Sequence, residues 1–317
     1  MRQADVIVPV YNVEDYLERC LDSLQNQTLS SGKYRVLLVN DGSTDASGEI
    51  CRRYVQGNPE LFTYLEKENG GLSDARNFGL EHADAQYVLF IDSDDYVEPG
   101  MLERMMAKAE GGEKIVECNF CWDYPDRRRD DVVSGYDSVA DYLVNGRVVA
   151  WNKLYRLDWL RECGVKFPKG LFYEDQCFFF ELIPFLDTID DVALDEACEV
   201  HYVQRGDSIS YSNTDRLADL FRIYDRILEF HEIHGWTGLY HDELEYRFVR
   251  NLLGNVTLRK VRPIRDRKLK NELAEEILAF IDGHFPKWKK NRYLRRKSLQ
   301  NAYLNIVNKV IVKLLII

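Results

Sequence analysis

Four apolar residues, Val88-Leu89-Phe90-Ile91, run directly into Asp92-Ser93-Asp94-Asp95, so three carboxylates follow a hydrophobic stretch at once. An uninterrupted apolar run of this length fits a strand covered on both faces. Ligands of open α/β sheets bind just beyond the carboxyl ends of such strands. If strand geometry persists, Asp92 and Asp94 face the same side. Carboxylates this close repel one another unless a cation sits among them, and their oxygens suit Mg²⁺ or Mn²⁺ better than softer metals. A hard divalent cation in turn suggests a phosphate-bearing ligand. Alone, the cluster would read as a solvated acidic turn, so the segments before it decide.

Residues 5–10, Asp-Val-Ile-Val-Pro-Val, form a short apolar strand that stops at Tyr11-Asn12. Pro9 lacks an N–H and belongs at a strand's end or edge. From Glu14 the apolar period becomes helical, with Leu17, Cys20, Leu21 and Leu24 on one stripe. A second strand, Tyr34 to Val39, ends in Asn40-Asp41-Gly42-Ser43-Thr44-Asp45, a cluster of turn formers that also suits a helix start. A third, Phe62 to Leu65, leads through Asn69-Gly70-Gly71 into another helix. Strands alternating with helices predict a parallel sheet. Tyr11, Asp41, Gly70-Gly71 and Asp92–Asp95 then share one rim, where a nucleotide pocket is plausible. Gly71 permits close ligand approach, and Arg76 on the following helix could meet a phosphate.

The strings VIVPVYN (6–12), LLVNDGSTDAS (37–47), ENGGLSDARNFGL (68–80) and VLFIDSDD (88–95) together resemble glycosyltransferase family 2 and its GT-A fold. The resemblance is strong over residues 5–100 and weaker to about residue 210. It implies an α/β fold: a Rossmann-like, mostly parallel sheet flanked by helices, followed by a helical C-terminal region. It further implies transfer of a sugar from a nucleotide diphosphate donor with inversion. Pro9 and Tyr11 would line the base pocket, and Asp41 would accept from a uracil-type base. Asp92 would contact the ribose or diphosphate region, and Asp94 would hold Mn²⁺ or Mg²⁺ against the diphosphate, with Asp92 as a further ligand. Where the family often has Ala, this chain has Asp74, an added negative charge near the phosphates that bears on the role of Arg76.

Transfer to an alcohol also needs a base. Phe172-Tyr173-Glu174-Asp175-Gln176 supplies adjacent carboxylates before the apolar stretch Cys177–Phe180. The resemblance makes Asp175 the base and Glu174 a group that orients the acceptor; the plainer reading is a favourable helix N-terminus. Trp151, in Trp151-Asn152-Lys153-Leu154-Tyr155, is either a sugar-stacking wall or a core residue. By the same resemblance His201 approaches the metal and diphosphate, and the loop Arg205-Gly206-Asp207-Ser208-Ile209-Ser210 closes over the donor; a structural histidine is the alternative.

The domains expected are a GT-A catalytic domain over 1–211, with a nucleotide-sugar half (1–100) and an acceptor half (101–211), and a helical region over 212–317. Leu217, Leu220, Ile223, Ile227 and Phe230 mark one helix there, and Phe248, Leu252 and Val256 another. The net charge of −11 argues against a general nucleic-acid binder. After Asp282 come nine bases (Lys287, Lys289, Lys290, Arg292, Arg295, Arg296, Lys297, Lys309, Lys313) and no acid, so removing that +9 from −11 leaves −20 elsewhere. Within this basic tail, 285–317, the residues Leu304, Val307, Ile311 and Leu314 fall on one helical face. Such a pattern attaches to an anionic leaflet or docks on the protein's own core or a second subunit, so peripheral membrane contact and a homo-oligomer are both open.

Seven cysteines, mostly within apolar patterns, suit reduced thiols, and Cys118-x-x-Cys121 lacks the second pair a zinc site requires. No targeting stretch precedes the first strand, and no segment reaches the ~20 apolar residues of a spanning helix, so a cytoplasmic location, with contact at the inner face of the membrane, is expected. The leading expectation is a metal-dependent inverting transferase moving a sugar, with a UDP-sugar as donor, to a hydroxyl of a glycan or lipid-linked acceptor in cell-surface polysaccharide synthesis. A thymidine donor, one methyl different, stays open. The rival is a non-catalytic sugar-nucleotide-binding or assembly subunit; no Gly-x-Gly-x-x-Gly or phosphate-loop motif supports a dehydrogenase or P-loop enzyme.

Overall fold

The computed structural model describes residues 2–204 and 217–316. The chain divides into two compact units, one formed by Met1–Asp137 with Arg147–Tyr211, the other by Ser138–Gly146 with Ser212–Ile317.

The first unit is built on one sheet. Its strands are β1 (Ala4–Val10), β2 (Tyr34–Asn40), β3 (Phe62–Glu66), β4 (Tyr87–Phe90), β5 (Tyr96–Val97), β6 (Ile115–Asp123), β7 (Arg128–Asp131), β8 (Lys153–Arg156) and β9 (Val192–Val203). Their order is β3-β2-β1-β4-β8-β6-β9-β5, with β7 on β6. From β3 to β4 the pairing is parallel, with Val6 opposite both Val36 and Leu89. Beyond β4 the sheet is mixed rather than mostly parallel: β8 runs antiparallel to β4 and β6, and β5 to β9, while β9 is parallel to β6. The parallel part is the part connected by helical crossovers, which is what parallel strands require.

Helices α1 (Glu14–Gln25), α2 (Ser47–Gly57), α3 (Leu72–His82) and α4 (Met101–Lys108) flank this sheet; α5 (Val139–Asn145) belongs to the second unit, and α6 (Leu157–Cys163) and α7 (Glu174–Leu182) return to the first. Leu17, Cys20, Leu21 and Leu24 are buried, as the helical stripe predicts. All seven residues of β1 are buried, including Asp5, whose charge is met by Arg35 at 2.8–2.9 Å and by the N–H groups of Asp84 and Ala85. Pro9 lies past the last β1–β4 pair, Ile7 with Phe90, where a missing N–H costs no ladder bond on that side. Gly79 lets α3 approach β1, since a Cβ there would stand 2.5 Å from Ile7 Cγ2. Cys118 and Cys121 are free thiols buried in β6.

The second unit contains α5, α8 (Leu217–Ile233), α9 (Thr237–Arg250), a π-helical stretch Asn251–Val261, α10 (Arg267–His284), α11 (Leu299–Ile306) and α12 (Lys309–Ile316). Leu217, Leu220, Ile223 and Ile227 are buried on α8. In the π stretch Leu252, Leu253, Val256, Thr257 and Val261 are buried, and Leu252 with Thr257 and Val256 with Val261 stand five apart, the spacing of i→i+5 bonding. The anticipated stripe is not one helix. Leu304 and Val307 are fully buried, the chain turns extended at Val307, and Leu314 on the next helix is 64% exposed. Among the described residues no helix is long and apolar enough to cross a membrane.

Candidate functional site

Arg76 organises the site. Its side chain is 1% exposed, on a helix entered through Gly71 at φ +85°. Nη2 reaches Asp92 Oδ1 at 2.7 Å, and Nη1 reaches Asp175 Oδ1 at 2.6 Å and Glu174 Oε1 at 3.1 Å. Its guanidinium lies 5.1 Å from the Phe167 ring centroid. One cation thus draws together acids from positions 92, 174 and 175. A buried charge survives only when paired in this way. Three carboxylates against one guanidinium leave an excess of negative charge. Burial, reinforced by Asp175 and opposed by Arg76, pushes Glu174 up to about 7; burial also raises Asp175, against the pull of Arg76. Tyr173, just before the pair, holds φ +67°, a strained conformation for a bulky residue.

The strand ends supply the other half of the site. β4 stops at Phe90, and residues 92–95 form a turn closed by Asp95 N donating to Asp92 O at 3.0 Å. The alternation anticipated for a strand survives in the turn: Asp92 and Asp94 are half-buried, while Ser93 and Asp95 are buried. Asp95 Oδ1 accepts from Val203 N at 2.8 Å. Tyr11 is 49% exposed at the end of β1. Asp41 is buried, and the 67–71 loop already fills most of its carboxylate. Oδ1 accepts from Lys67 Nζ at 2.6 Å and Gly70 N at 2.9 Å, and Oδ2 from Gly71 N at 2.7 Å. Of about four lone-pair positions on a carboxylate, one is left for a ligand.

Asp74 is neutralised by Lys67 at 2.7 Å and by Lys169. These two lysines, Lys169 first, hold its carboxyl below the usual range. The added charge at 74 is therefore matched by cations. Neither lysine stands in a motif that points to the site, and only Lys67, next to Glu68-Asn69-Gly70-Gly71, offered a local cue.

Two residues for which the sequence left two readings open lie in packed surroundings. Trp151 is 3% exposed, with its ring 4.7 Å from Phe120 and 5.0 Å from Tyr202, centroid to centroid; it packs in the core and presents no stacking face. His201 lies opposite Tyr96 in the β5–β9 pairing and stacks on it at 4.3 Å. Its Nε2 is 2.7 Å from Glu98 Oε1 and its Nδ1 is 3.5 Å from Cys121 Sγ. The 205–210 loop lies outside the described residues. Among the described residues no three His, Cys, Asp or Glu side chains gather to hold a metal by themselves. A hard cation held by one or two carboxylates and completed by substrate phosphates needs no such cage, and the half-buried carboxylates at 92 and 94 are the right chemistry for it.

Residues 5–163 match the family described as Glycosyl transferase family 2. EpsH of Bacillus subtilis (strain 168) is 36% identical over 188 residues, 55% of this chain and 54% of EpsH; this chain thus spans about half of EpsH's length. The uncharacterized glycosyltransferase EpsJ of the same organism is 31% identical over 264 residues, 78% of this chain and 75% of EpsJ. Among solved structures, S. aureus TarS 1–349 in complex with UDP-GlcNAc superposes with TM-score 0.75 at 21% identity, covering 98% of this chain and 90% of TarS 1–349. The chain belongs to glycosyltransferase family 2, and its fold is that of TarS, a GT-A sheet followed by a helical region.

Proposed function

We propose that the protein is an inverting glycosyltransferase that moves a sugar from a uridine diphosphate donor to a hydroxyl of a surface-glycan acceptor by a single displacement. The observation that carries this reading is the convergence of Asp92, Glu174 and Asp175 on Arg76. It puts the acid that follows β4 and a candidate base around one guanidinium. The complex of TarS with UDP-GlcNAc supports a uridine donor.

In this mechanism Asp175 takes the proton of the acceptor hydroxyl, whose oxygen bonds to the anomeric carbon as the bond to the diphosphate oxygen breaks on the opposite face. One displacement inverts the configuration, and no covalent enzyme intermediate is formed. Arg76 keeps Asp175 from being wholly neutralised by burial, and Glu174 orients the acceptor. Asp94, with Asp92, would hold Mn²⁺ or Mg²⁺, which when bound would offset the charge of the leaving diphosphate. Tyr11 and Asp41 would face the nucleotide base.

A panel of UDP-glucose, UDP-galactose, UDP-GlcNAc, UDP-GalNAc and thymidine-diphosphate sugars, each with Mn²⁺, Mg²⁺ or chelator, tests the reading by thermal shift and donor hydrolysis. One sugar nucleotide should raise the midpoint in a metal-dependent way, and Asp175→Asn should keep that shift while losing turnover. Metal-dependent binding of a sugar nucleotide with no hydrolysis above background by the wild type would favour the non-catalytic subunit instead, and unaltered hydrolysis in Asp175→Asn would remove Asp175 as the base.

Within the second unit Leu299, Ile306, Val310 and Leu314 are 64–93% exposed. Of the nine bases near them, Lys309 and Lys313 pair with Asp282 and Glu275, Arg292 and Arg296 pair with Glu243 and Asp141, and Lys289 caps carbonyls at 304–307. Exposed apolar side chains beside the remaining cations, Lys287, Lys290, Arg295 and Lys297, fit contact with an anionic membrane surface. Full-length protein should sediment with phosphatidylglycerol vesicles and not with neutral ones; substituting those four bases by Gln should abolish it, at about 1 kcal/mol per charge.

A further inference from the structure

A second charged cluster in the first unit has no part in the displacement described above. Glu117 on β6 and Lys153 at the start of β8 are both fully buried and stand opposite one another in the strand pairing. Lys153 Nζ donates to the carbonyls of Arg147 and Val149 and to Asn152 Oδ1, each at 2.8 Å, and lies 3.6 Å from Glu117 Oε2. Glu117 Oε1 accepts from Arg147 Nη1 at 3.1 Å and from Tyr136 Oη at 2.9 Å. Asn152 closes the segment onto β6: its Nδ2 donates to Cys118 O at 2.7 Å and its carbonyl accepts from Cys118 N at 3.0 Å.

Stability alone does not account for such a cluster, because replacing a buried ion pair by apolar groups is often neutral or stabilising. The direction of its bonds is more informative. All three acceptors of Lys153 lie on residues 147–152, and from the middle of that segment Ala150 N donates to Asp175 Oδ2 at 3.4 Å. Asp175 Oδ1 is held by Arg76. The carboxylate is gripped at both oxygens, once from α3 and once from the segment that Lys153 ties down.

We propose that Lys153, braced by Glu117, is a positioning residue for Asp175: it fixes the backbone from Arg147 to Asn152 so that the Ala150 N–H sets the plane of the carboxylate that receives the acceptor proton. The inference rests on the reading of Asp175 as the base. It also has an electrostatic side. The charged or titratable groups that face Asp175 are Arg76 from α3, Asp92 from the end of β4, Glu174 on its own helix, and Lys153 and Tyr155 from β8. Burial holds Lys153 below the ordinary lysine range while Glu117 favours its charged form; loss of that ammonium removes one of two cations, so Asp175 would hold its proton to higher pH.

The test is the pH dependence of donor hydrolysis by full-length wild type, Lys153→Met and Asp175→Asn, with the sugar nucleotide that gives the largest thermal shift. Lys153→Met should lower kcat by about 10²-fold, the scale set by small misplacements of a catalytic group, with the donor KM unchanged and the acid limb of kcat displaced upward. If Lys153→Met is recovered unfolded, Glu117→Gln/Lys153→Met, which leaves no lone buried ion of this pair, carries the same expectation. A folded variant with wild-type kcat and an unmoved acid limb overturns the proposal and makes the cluster purely structural. Loss of turnover in Asp175→Asn alongside a wild-type-like Lys153→Met removes this inference alone; full turnover in Asp175→Asn removes the base reading and this inference with it.

Discussion

Arg76 has no neutral form available to it, so its neighbours do the titrating. Arg76→Ala would leave Asp92, Glu174 and Asp175 facing one another without a counter-ion, a change expected to cost about 3–5 kcal/mol, and urea unfolding at pH 7 measures it. Arg76→Lys should recover only part of that loss, since an ammonium cannot reproduce the fork that meets three carboxylates. Glu174 makes a pH prediction. With its folded pKa raised to about 7, the folded state holds more protons than the unfolded state between the ordinary glutamate range and 7. Stability contributed by this group is therefore present at low pH and lost as pH climbs through 7. Glu174→Gln should flatten that decline, gaining on wild type by on the order of 1–3 kcal/mol at pH 8 relative to pH 5. Denaturant midpoints at the two pH values check it, and a parallel decline in wild type and variant would refute it.

At the scale of elements, close packing and charge placement act through backbone. Gly79→Ala puts a methyl 2.5 Å from Ile7 Cγ2, a fully buried side chain of β1. Overpacking of this kind costs about 1–3 kcal/mol, so the urea midpoint should fall without a change in m. Asp74→Ala frees Lys67 and Lys169 from their shared carboxylate. The expected result is a changed donor KM with kcat nearly kept, read from hydrolysis kinetics.

What was legible in the sequence followed period and position. The apolar runs of β1, β2 and β4 located the rim, the stripe Leu17–Leu24 located α1, and the acids at 41, 92, 174 and 175 stood out because each ends a strand or opens a helix. What escaped depends on partners far apart in the chain. Lys169 meets Asp74, and Lys153 meets Glu117, across separations that no local pattern encodes. The choice between the two readings of Trp151 and of His201 was out of local reach for the same reason, since their burial is decided by Phe120, Tyr202, Tyr96 and Glu98. The stripe from Leu304 to Leu314 failed because helical period says nothing of a break at Val307.

At the scale of the molecule, the chain consists of two compact units, each with its own buried apolar residues. We expect calorimetry to resolve two transitions, of which only one moves when the donor nucleotide is added, by the mass-action increment RT ln(1 + [L]/Kd). A single transition that shifts as a whole would show the units to be one cooperative body.

The loop that fills Asp41 has a bearing on fidelity. An active site rejects a wrong ligand severely when that ligand strands a buried polar group; it rejects mildly when only shape is at stake. Here Lys67, Gly70 and Gly71 already satisfy the buried acid, so an ill-matched base leaves nothing orphaned. Discrimination among pyrimidine nucleotides should then be soft, with uridine and thymidine diphosphates of one sugar differing in Kd by on the order of tenfold. The enzyme would owe its choice of substrate to the sugar and the acceptor more than to the letter of the nucleotide.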